Sequence, residues 1–371
     1  MPVHLPVPIP VAVVGCGHLG TFHARLYREL PDADLRAVCD TVPERARALG
    51  EMLGVSWTTD LTEALRGVRA VSVATPTVTH EAVAGRVLAA GCSVLVEKPI
   101  TARREEAERL IRVAAARGLV LAVGHVERFN PAFRAARQRI GAIRFVEAHR
   151  LATFVPRSLD VDVILDLMIH DLDLVLALAD RPVERVDAVG VPVLTHSVDI
   201  ANARITFAGG IIANLTASRV SRERVRKIRL FGERRYLSAD LAARKVEEVV
   251  LEDEPAGPVT GPDVGTVALL AAAAASAGEP DPADDTAGGG SPLELLAWFQ
   301  ARRLRLRADS TPFAAANPLE DELRDFLGAV AGGVLEGAGG EDGLRALTLA
   351  FQVRDQVRDS LRGMGIEPSP A

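Results

Sequence analysis

Five short, almost unbroken apolar runs recur within the first 124 residues, each separated from the next by a helical segment, and few folds accommodate that alternation. The runs are VAVVG, LRAVCD, AVSVAT, SVLVEKP and VLAVGH. Helical patterning lies between them, from about Gly20 to Leu30, Glu44 to Leu53, His80 to Ala90 and Ala102 to Arg117. A strand that is apolar at every position has both faces covered, whereas a half-exposed strand alternates. Such strands joined by helices predict a doubly wound parallel sheet, an N-terminal Rossmann domain over residues 1–124.

After Gly124 the rhythm changes. IRFVEAHRLAT, VERVDAVGV, DIANARITF, IIANLTASRV and RKIRLFGE follow one another across turns such as Ala208-Gly209-Gly210. These predict an open antiparallel sheet in a C-terminal α+β domain, residues 125–371. One helical segment, Val163 to Leu178, interrupts the strands. Residues 252–291 turn to Ala, Gly, Pro and Asp and are expected to form a flexible insertion. A strand-like RRLRLRA and helices at 318–330 and 343–362 close the chain. Two domains suit 371 residues, more than one core usually spans.

The first apolar run leads into G-C-G-H-L-G at the start of a helix. Gly15 permits the tight turn, Gly17 lets backbone approach a pyrophosphate, and Gly20 lets helix and strand pack closely. The helix N-terminus, at His18 and Leu19, offers free amide N–H groups to an anion. The second run ends in Asp40, 20 residues after Gly20, where a carboxylate binds ribose hydroxyls and repels a 2'-phosphate. Strand, turn, helix and acid together predict a dinucleotide site that favours NAD over NADP. Arg45 and Arg47 leave NADP open, because an arginine can accommodate the extra phosphate, although a solvated helix face also explains them.

Two further features carry chemistry. SVLVEKPI places Lys98 at the carboxyl edge of a parallel sheet, where open α/β folds bind ligands; a plain surface charge is the alternative. In DVILDLMIHDLDLVLAL, Asp166 and His170 stand four apart and share a helical face. A carboxylate there can orient the imidazole and stabilise its protonated form, though Asp171 could equally hold the ring and a structural polar pair is the plainer explanation.

The glycine turn, the EKP lysine, the DxxxHD helix and their order along the chain resemble the Gfo/Idh/MocA family of sugar and cyclitol oxidoreductases, over most of the chain outside residues 252–291. The resemblance implies that Lys98, Asp166 and His170 form the catalytic group and that Pro99 follows a cis peptide. It also carries Thr75, Pro76 and His80 of ATPTVTH over as cofactor contacts, with Glu97 and Lys98 beside them. GHVERFNPA followed by LDLMIHDLDLVL is similar to the branch that oxidises the 3-hydroxyl of UDP-N-acetylglucosamine. That product is one a partner aminotransferase converts to the 3-amino sugar of lipid A. Arg128 could then bind a diphosphate and Asn130 a hydroxyl or amide, against a salt bridge and a helix N-cap before Pro131. Arg150 and Arg157 are further candidates.

The expected reaction is oxidation of a secondary alcohol, with His170 as base, Lys98 on the reacting oxygen and Asp166 orienting the pair. Lys98 and His170 could exchange roles. Two other readings remain: a dehydrogenase of a free cyclitol or monosaccharide, and a cofactor-binding regulator on the same fold.

Composition narrows the partners. With 43 Lys and Arg against 49 Asp and Glu, and only 4% aromatics, neither a phosphate-backbone binder nor a base-stacking platform is expected. Cys16, Cys39 and Cys92 are too few and too scattered for a disulfide framework or a metal cluster, and no metal is expected. They suit a reducing cytoplasm. The apolar N-terminus lacks a basic region and carries four prolines, unlike a signal peptide. The alanine-rich stretch from Val264 to Gly278 is too short to span a membrane. A sheet with helices on one face leaves the other to be covered, so a homo-oligomer, dimer or tetramer, is expected.

Overall fold

The computed structural model describes residues 7–155, 162–253, 304–314 and 316–366. The first sheet is built from β1 (Ile9–Val14), β2 (Ala33–Cys39), β3 (Ser56–Thr58), β4 (Ala70–Val73), β5 (Ser93–Glu97) and β6 (Leu121–Gly124). All are parallel, in the order β6-β5-β4-β1-β2-β3. Every residue of β4, β5 and β6 is buried, as the unbroken apolar runs require. Helices α1 (His18–Glu29), α2 (Pro43–Leu53), α3 (Leu61–Ala64), α4 (His80–Ala89) and α5 (Arg104–Arg117) make the crossovers. The chain leaves β1 on one side for β2 and returns on the other for β4. The crevice at the carboxyl ends of β1 and β4 is therefore the switch point where such sheets bind ligands.

The second domain begins with α6 (Pro131–Ile140) and β7 (Ile143–Leu151), followed by α7 (Ile169–Ala179). Strands β8 (Val183–Val191), β9 (Ile200–Phe207), β10 (Ile212–Ser218), β11 (Val225–Gly232), β12 (Arg235–Asp240), β13 (Lys245–Asp253) and β14 (Leu304–Pro312) complete an eight-stranded sheet. Its order is β14-β13-β12-β11-β7-β10-β9-β8. The expected antiparallel pairing holds everywhere except between β7 and β10, which are parallel. β9 and β10 are joined by a hairpin, β11 lies on the far side of β7, and β10 docks on β7's free edge in the same direction. Alternating burial along β7, β9 and β10 marks one face packed against helices. The expected insertion from 252 has its first two residues in β13, and the rest lies outside the described residues.

The end of the chain departs from the two-block reading. Helix α8 (Pro318–Val330) starts at Asn317, whose side chain caps the Glu320 amide with Pro318 at the first helical position. Its Leu323, Phe326 and Leu327 join Ile9, Val11, Val13, Tyr27 and Leu95 in the core of the first domain. β15 (Ala338–Gly339) then pairs antiparallel with β6 and closes the edge of the Rossmann sheet. Helix α9 (Gly340–Gly363) buries Ala346, Leu349, Ala350, Val353 and Val357 with the second domain, and Leu347 and Phe351 with the first. A helix apolar on two faces must be covered on both, and α9 thereby ties the two sheets together. No helix among the described residues is long and apolar enough to cross a membrane.

Candidate active site

At the end of β1, Gly15 has φ +96° and a Cβ there would lie 2.5 Å from the Ala74 carbonyl oxygen. Only glycine tolerates both demands. A Cβ at Gly20 would sit 1.7 Å from the Gly15 carbonyl oxygen, so helix α1 rests directly on the turn. Gly17 is different: its φ is −77° and a Cβ there would meet nothing within 4 Å. The space beside Gly17 is open, which is the cradle a pyrophosphate needs. His18 and Leu19 are exposed at the first turn of α1, where amide N–H groups have no acceptor within the helix.

Asp40 is 9% exposed and follows β2. Its Oδ2 accepts the Cys16 amide at 2.7 Å and its Oδ1 the Val42 amide at 2.8 Å. The carboxylate is thus fixed beside the glycine turn by two backbone donors, and each oxygen keeps a lone pair for a ribose hydroxyl. These residues fit NAD. Asp40→Ala is expected to weaken NAD binding by about 10- to 100-fold and to narrow the preference over NADP; calorimetric titration with both cofactors measures this, and an unchanged preference would remove Asp40 from the ribose.

Across the switch point, Thr75 is half-buried and Pro76 exposed at the end of β4, where their side chains and backbone can face a cofactor. His80 cannot. It is 1% exposed, with Nδ1 2.9 Å from the Pro99 carbonyl and Nε2 2.8 Å from the Thr75 carbonyl. The ring lies between these two carbonyls and donates its N–H to one of them, so His80 bridges the β4 and β5 loops from the inside. Glu97 is also turned inward: it is 8% exposed, 3.1 Å from His23 Nε2, and accepts the Lys98 amide at 3.3 Å.

Lys98 reaches out of this edge. The Lys98-Pro99 bond is cis, and Lys98 Nζ donates to the Asp166 carbonyl at 2.8 Å with Asp166 Oδ1 at 3.8 Å. Asp166 therefore pairs with Lys98, whereas the spacing had placed it on His170. The reason is a π-turn over Ile164–Met168 immediately before α7. Bonding from i to i+5 widens the helix by one residue per turn, so two residues four apart no longer share the α-helical register. Asp162 starts this segment by accepting the Ile164 and Leu165 amides at 3.0 and 2.9 Å.

His170 is half-buried and its Nδ1 is buried without a hydrogen-bond partner. Burial, then the neighbouring charges of Lys98, Arg150, His125 and Arg226, push it well below the usual histidine value of 6.5. Lys98 is lowered by burial and by Arg150, against the opposing pull of Asp166 and Glu97. The lysine has two carboxylates near it, whereas the charges facing the histidine are cationic.

Arg128 and Asn130 take the structural alternatives. Arg128 holds Asp173 through Nε and Nη2 at 2.8 and 2.7 Å, and Asp342 of α9 through Nη1 at 3.2 Å. Its side chain is 10% exposed and fastens α9 to α7, leaving no fork for a diphosphate. Asn130 caps α6 at Ala132 and donates to the Leu241 carbonyl at 2.9 Å, 4% exposed. Arg150 is buried too, bidentate to Asp171 at 3.0 and 2.8 Å and bonded to Glu127 at 3.0 Å. Asp171 therefore serves Arg150, not the imidazole. Arg157 lies outside the described residues. Sequence reasoning missed His23, Glu127, His125 and Glu322, all buried polar groups around the site. Only His23 left a signal, as a histidine on the apolar stripe Gly20-His23-Ala24-Tyr27 of α1.

A glycine turn with open space for a phosphate, a fixed carboxylate beside it and Lys98, all at the carboxyl edge of one parallel sheet and with His170 in the field of that lysine, are what an NAD-dependent oxidoreductase presents. Residues 9–125 match the oxidoreductase family with an NAD-binding Rossmann fold, and residues 134–238 match the GFO/IDH/MocA C-terminal domain. The chain belongs to the Gfo/Idh/MocA oxidoreductase family. It is similar to the UDP-N-acetylglucosamine 3-dehydrogenase of Acidithiobacillus ferrooxidans, 48% identical over 229 residues, 62% of this chain and 72% of that one. The solved structure of that enzyme superposes with a TM-score of 0.78 at 36% identity, covering 96% of this chain and 99% of the other. The scyllo-inositol 2-dehydrogenase (NAD(+)) of Bacillus subtilis is 32% identical over 232 residues, 57% of this chain and 67% of its own.

Proposed function

We propose that this chain oxidises the 3-hydroxyl of UDP-N-acetylglucosamine to the 3-keto sugar nucleotide, using NAD. The observation that carries the reading is the 48% identity to a dehydrogenase of that name, sustained by a superposition over nearly the whole of both chains.

The residues divide the work by their surroundings. His170, kept neutral by burial and by surrounding cations, accepts the hydroxyl proton. Lys98, held as an ammonium by Asp166 and Glu97, donates a hydrogen bond to the reacting oxygen and stabilises negative charge as the proton leaves. Asp166 steers Lys98 through its carbonyl and its carboxylate. The bound nicotinamide supplies the acceptor for the hydride from the carbinol carbon.

This division has a pH signature. The base form of His170 persists until the pH falls through its lowered value, and the ammonium of Lys98 until the pH rises through its own. The expected kcat/KM profile is a plateau with an acid limb well below 6.5 and an alkaline limb below 10.5. An acid limb at or above 6.5 would remove neutral His170 as the base.

The direct test is NADH formation from purified protein, NAD and UDP-N-acetylglucosamine with a carbonyl trap present. Absorbance growth that disappears in His170→Ala supports the reading. No growth, with NAD still bound, overturns it. The 32% identity to an inositol dehydrogenase favours a free cyclitol as the second reading. Stabilisation by UDP separates the two, because only a sugar-nucleotide site gains stability from it.

The same reading supplies the partners. A 3-keto product is a substrate for an aminotransferase, as in lipid A precursor synthesis in the cytoplasm. On the open face of the second sheet the Phe231 ring contacts those of Phe145 and Tyr236, and we assign that face to a second copy of the chain.

A further inference from the structure

The polar groups that this chemistry leaves unused gather beneath Lys98. His23 is wholly buried on the inner face of α1, one turn past the glycine turn. Its Nε2 lies 3.1 Å from Glu97 Oε1, while its Nδ1 has no partner. Glu97 ends β5, and its second oxygen accepts the amide of Lys98. In the register of β5 and β6, Glu97 stands opposite Gly124. A Cβ at Gly124 would lie 3.0 Å from the Glu97 carboxyl carbon, so the missing side chain provides the floor on which the carboxylate rests.

We propose that His23 is a positioning residue for Lys98: by donating from Nε2 it pins the Glu97 carboxylate, as an anion, between the floor at Gly124 and the backbone of the reactive lysine. The proposal rests on the reading of Lys98 as the group on the reacting oxygen. A buried anion is costly unless it is paired and hydrogen-bonded, and His23 donates the hydrogen bond that Glu97 receives from another side chain. Burial alone would push Glu97 up, yet the His23 hydrogen bond and charge, with Lys98, bring it below the ordinary carboxylate value. Glu97 then offsets the burial and the Arg150 charge that draw Lys98 down.

The other groups facing the pair do not replace His23. Glu322 of α8 is 3% exposed with neither oxygen bonded, and its position disfavours a second anion. His125, 2% exposed, has both ring nitrogens unbonded. Asp166 and Arg150 face Lys98 from the second domain and do not contact Glu97. Because His23 and the cofactor turn share helix α1, the lysine and the phosphate site are braced by one rigid element.

The test reads Lys98 directly and needs neither cofactor nor substrate. Acylation of the Lys98 amine by trace acetic anhydride is followed across pH by mass spectrometry on the full-length protein. In His23→Leu the apparent pKa of Lys98 is expected to fall by about one unit. His23→Gln, which keeps a donor near the Nε2 position, should restore it. Glu97→Gln should lower it similarly, and His23→Leu added to Glu97→Gln should do nothing more. An unshifted titration in folded His23→Leu, or a second full shift in the Glu97→Gln background, overturns the proposal. Should His23→Leu not fold, Gly124→Ala crowds the same carboxylate and should move Lys98 in the same direction; no movement there also overturns it. Absence of UDP-N-acetylglucosamine turnover in the parent protein, with these Lys98 shifts observed, would count against the proposed function alone.

Discussion

Replacing Lys98 by methionine is expected to lower turnover by about 10³-fold or more while leaving NAD affinity nearly unchanged. Methionine matches the length of the stem but cannot donate a hydrogen bond or carry charge, so the oxygen of the substrate loses its stabilising partner as the proton departs. The ammonium is directed at the Asp166 carbonyl, 2.8 Å away in the second domain, not at the glycine turn. Initial rates of NADH formation, with NAD binding followed by calorimetry, decide the matter. If NAD binding is lost together with turnover, Lys98 is a cofactor residue and the mechanism above is wrong.

The second large effect separates two glycines of the same turn. Gly20→Ala places a methyl 1.7 Å from the Gly15 carbonyl oxygen, backbone against backbone. Helix α1 must lift from the sheet, at a cost of about 3 kcal/mol or more, and NAD binding should go with it. Gly17→Ala meets nothing in the ligand-free protein. Its melting temperature should therefore fall by no more than about 3 °C, since what the helix loses is a glycine N-cap and not its packing. Its NAD affinity should nonetheless fall at least ~10-fold, because the new methyl stands where backbone must approach the pyrophosphate. Thermal melts with and without NAD distinguish the pair. A Gly17→Ala variant that binds NAD normally would show that the phosphates do not cross this turn.

Much of this was legible along the chain, for an identifiable reason. The strands of the Rossmann sheet are covered on both faces, so they appear as unbroken apolar runs, and the turn between β1 and α1 demands glycine at fixed positions whatever surrounds it. Lys98 was legible because a strand end is a place that the local pattern defines. The site's second half was less so. Asp166 and His170 were read on the spacing of an ideal α-helix, and the π-turn at Ile164–Met168, which nothing in LDLMIHD announces, handed the carboxylate to Lys98. Arg128, Asn130 and His80 carry side chains that suit ligands, yet all three are spent on the fold: an α7 to α9 clasp, an N-cap, and a bridge between two loops.

By itself the sequence determined the elements whose cause is local: where apolar faces recur, where the backbone must be glycine, which residue caps or ends a helix. The tertiary structure alone decided which distant segments share those elements. Helix α8 and strand β15 lie more than 300 residues from β1 yet complete its core and sheet, because the apolar surface left open by the first domain is satisfied by whichever segment reaches it. The same holds for charge. His23, Glu97 and Gly124 lie in three separate elements until packing sets the His23 imidazole 3.1 Å from the Glu97 carboxylate and the bare backbone of Gly124 beneath it, and a buried carboxylate is defined by its neighbours rather than by its place in the chain.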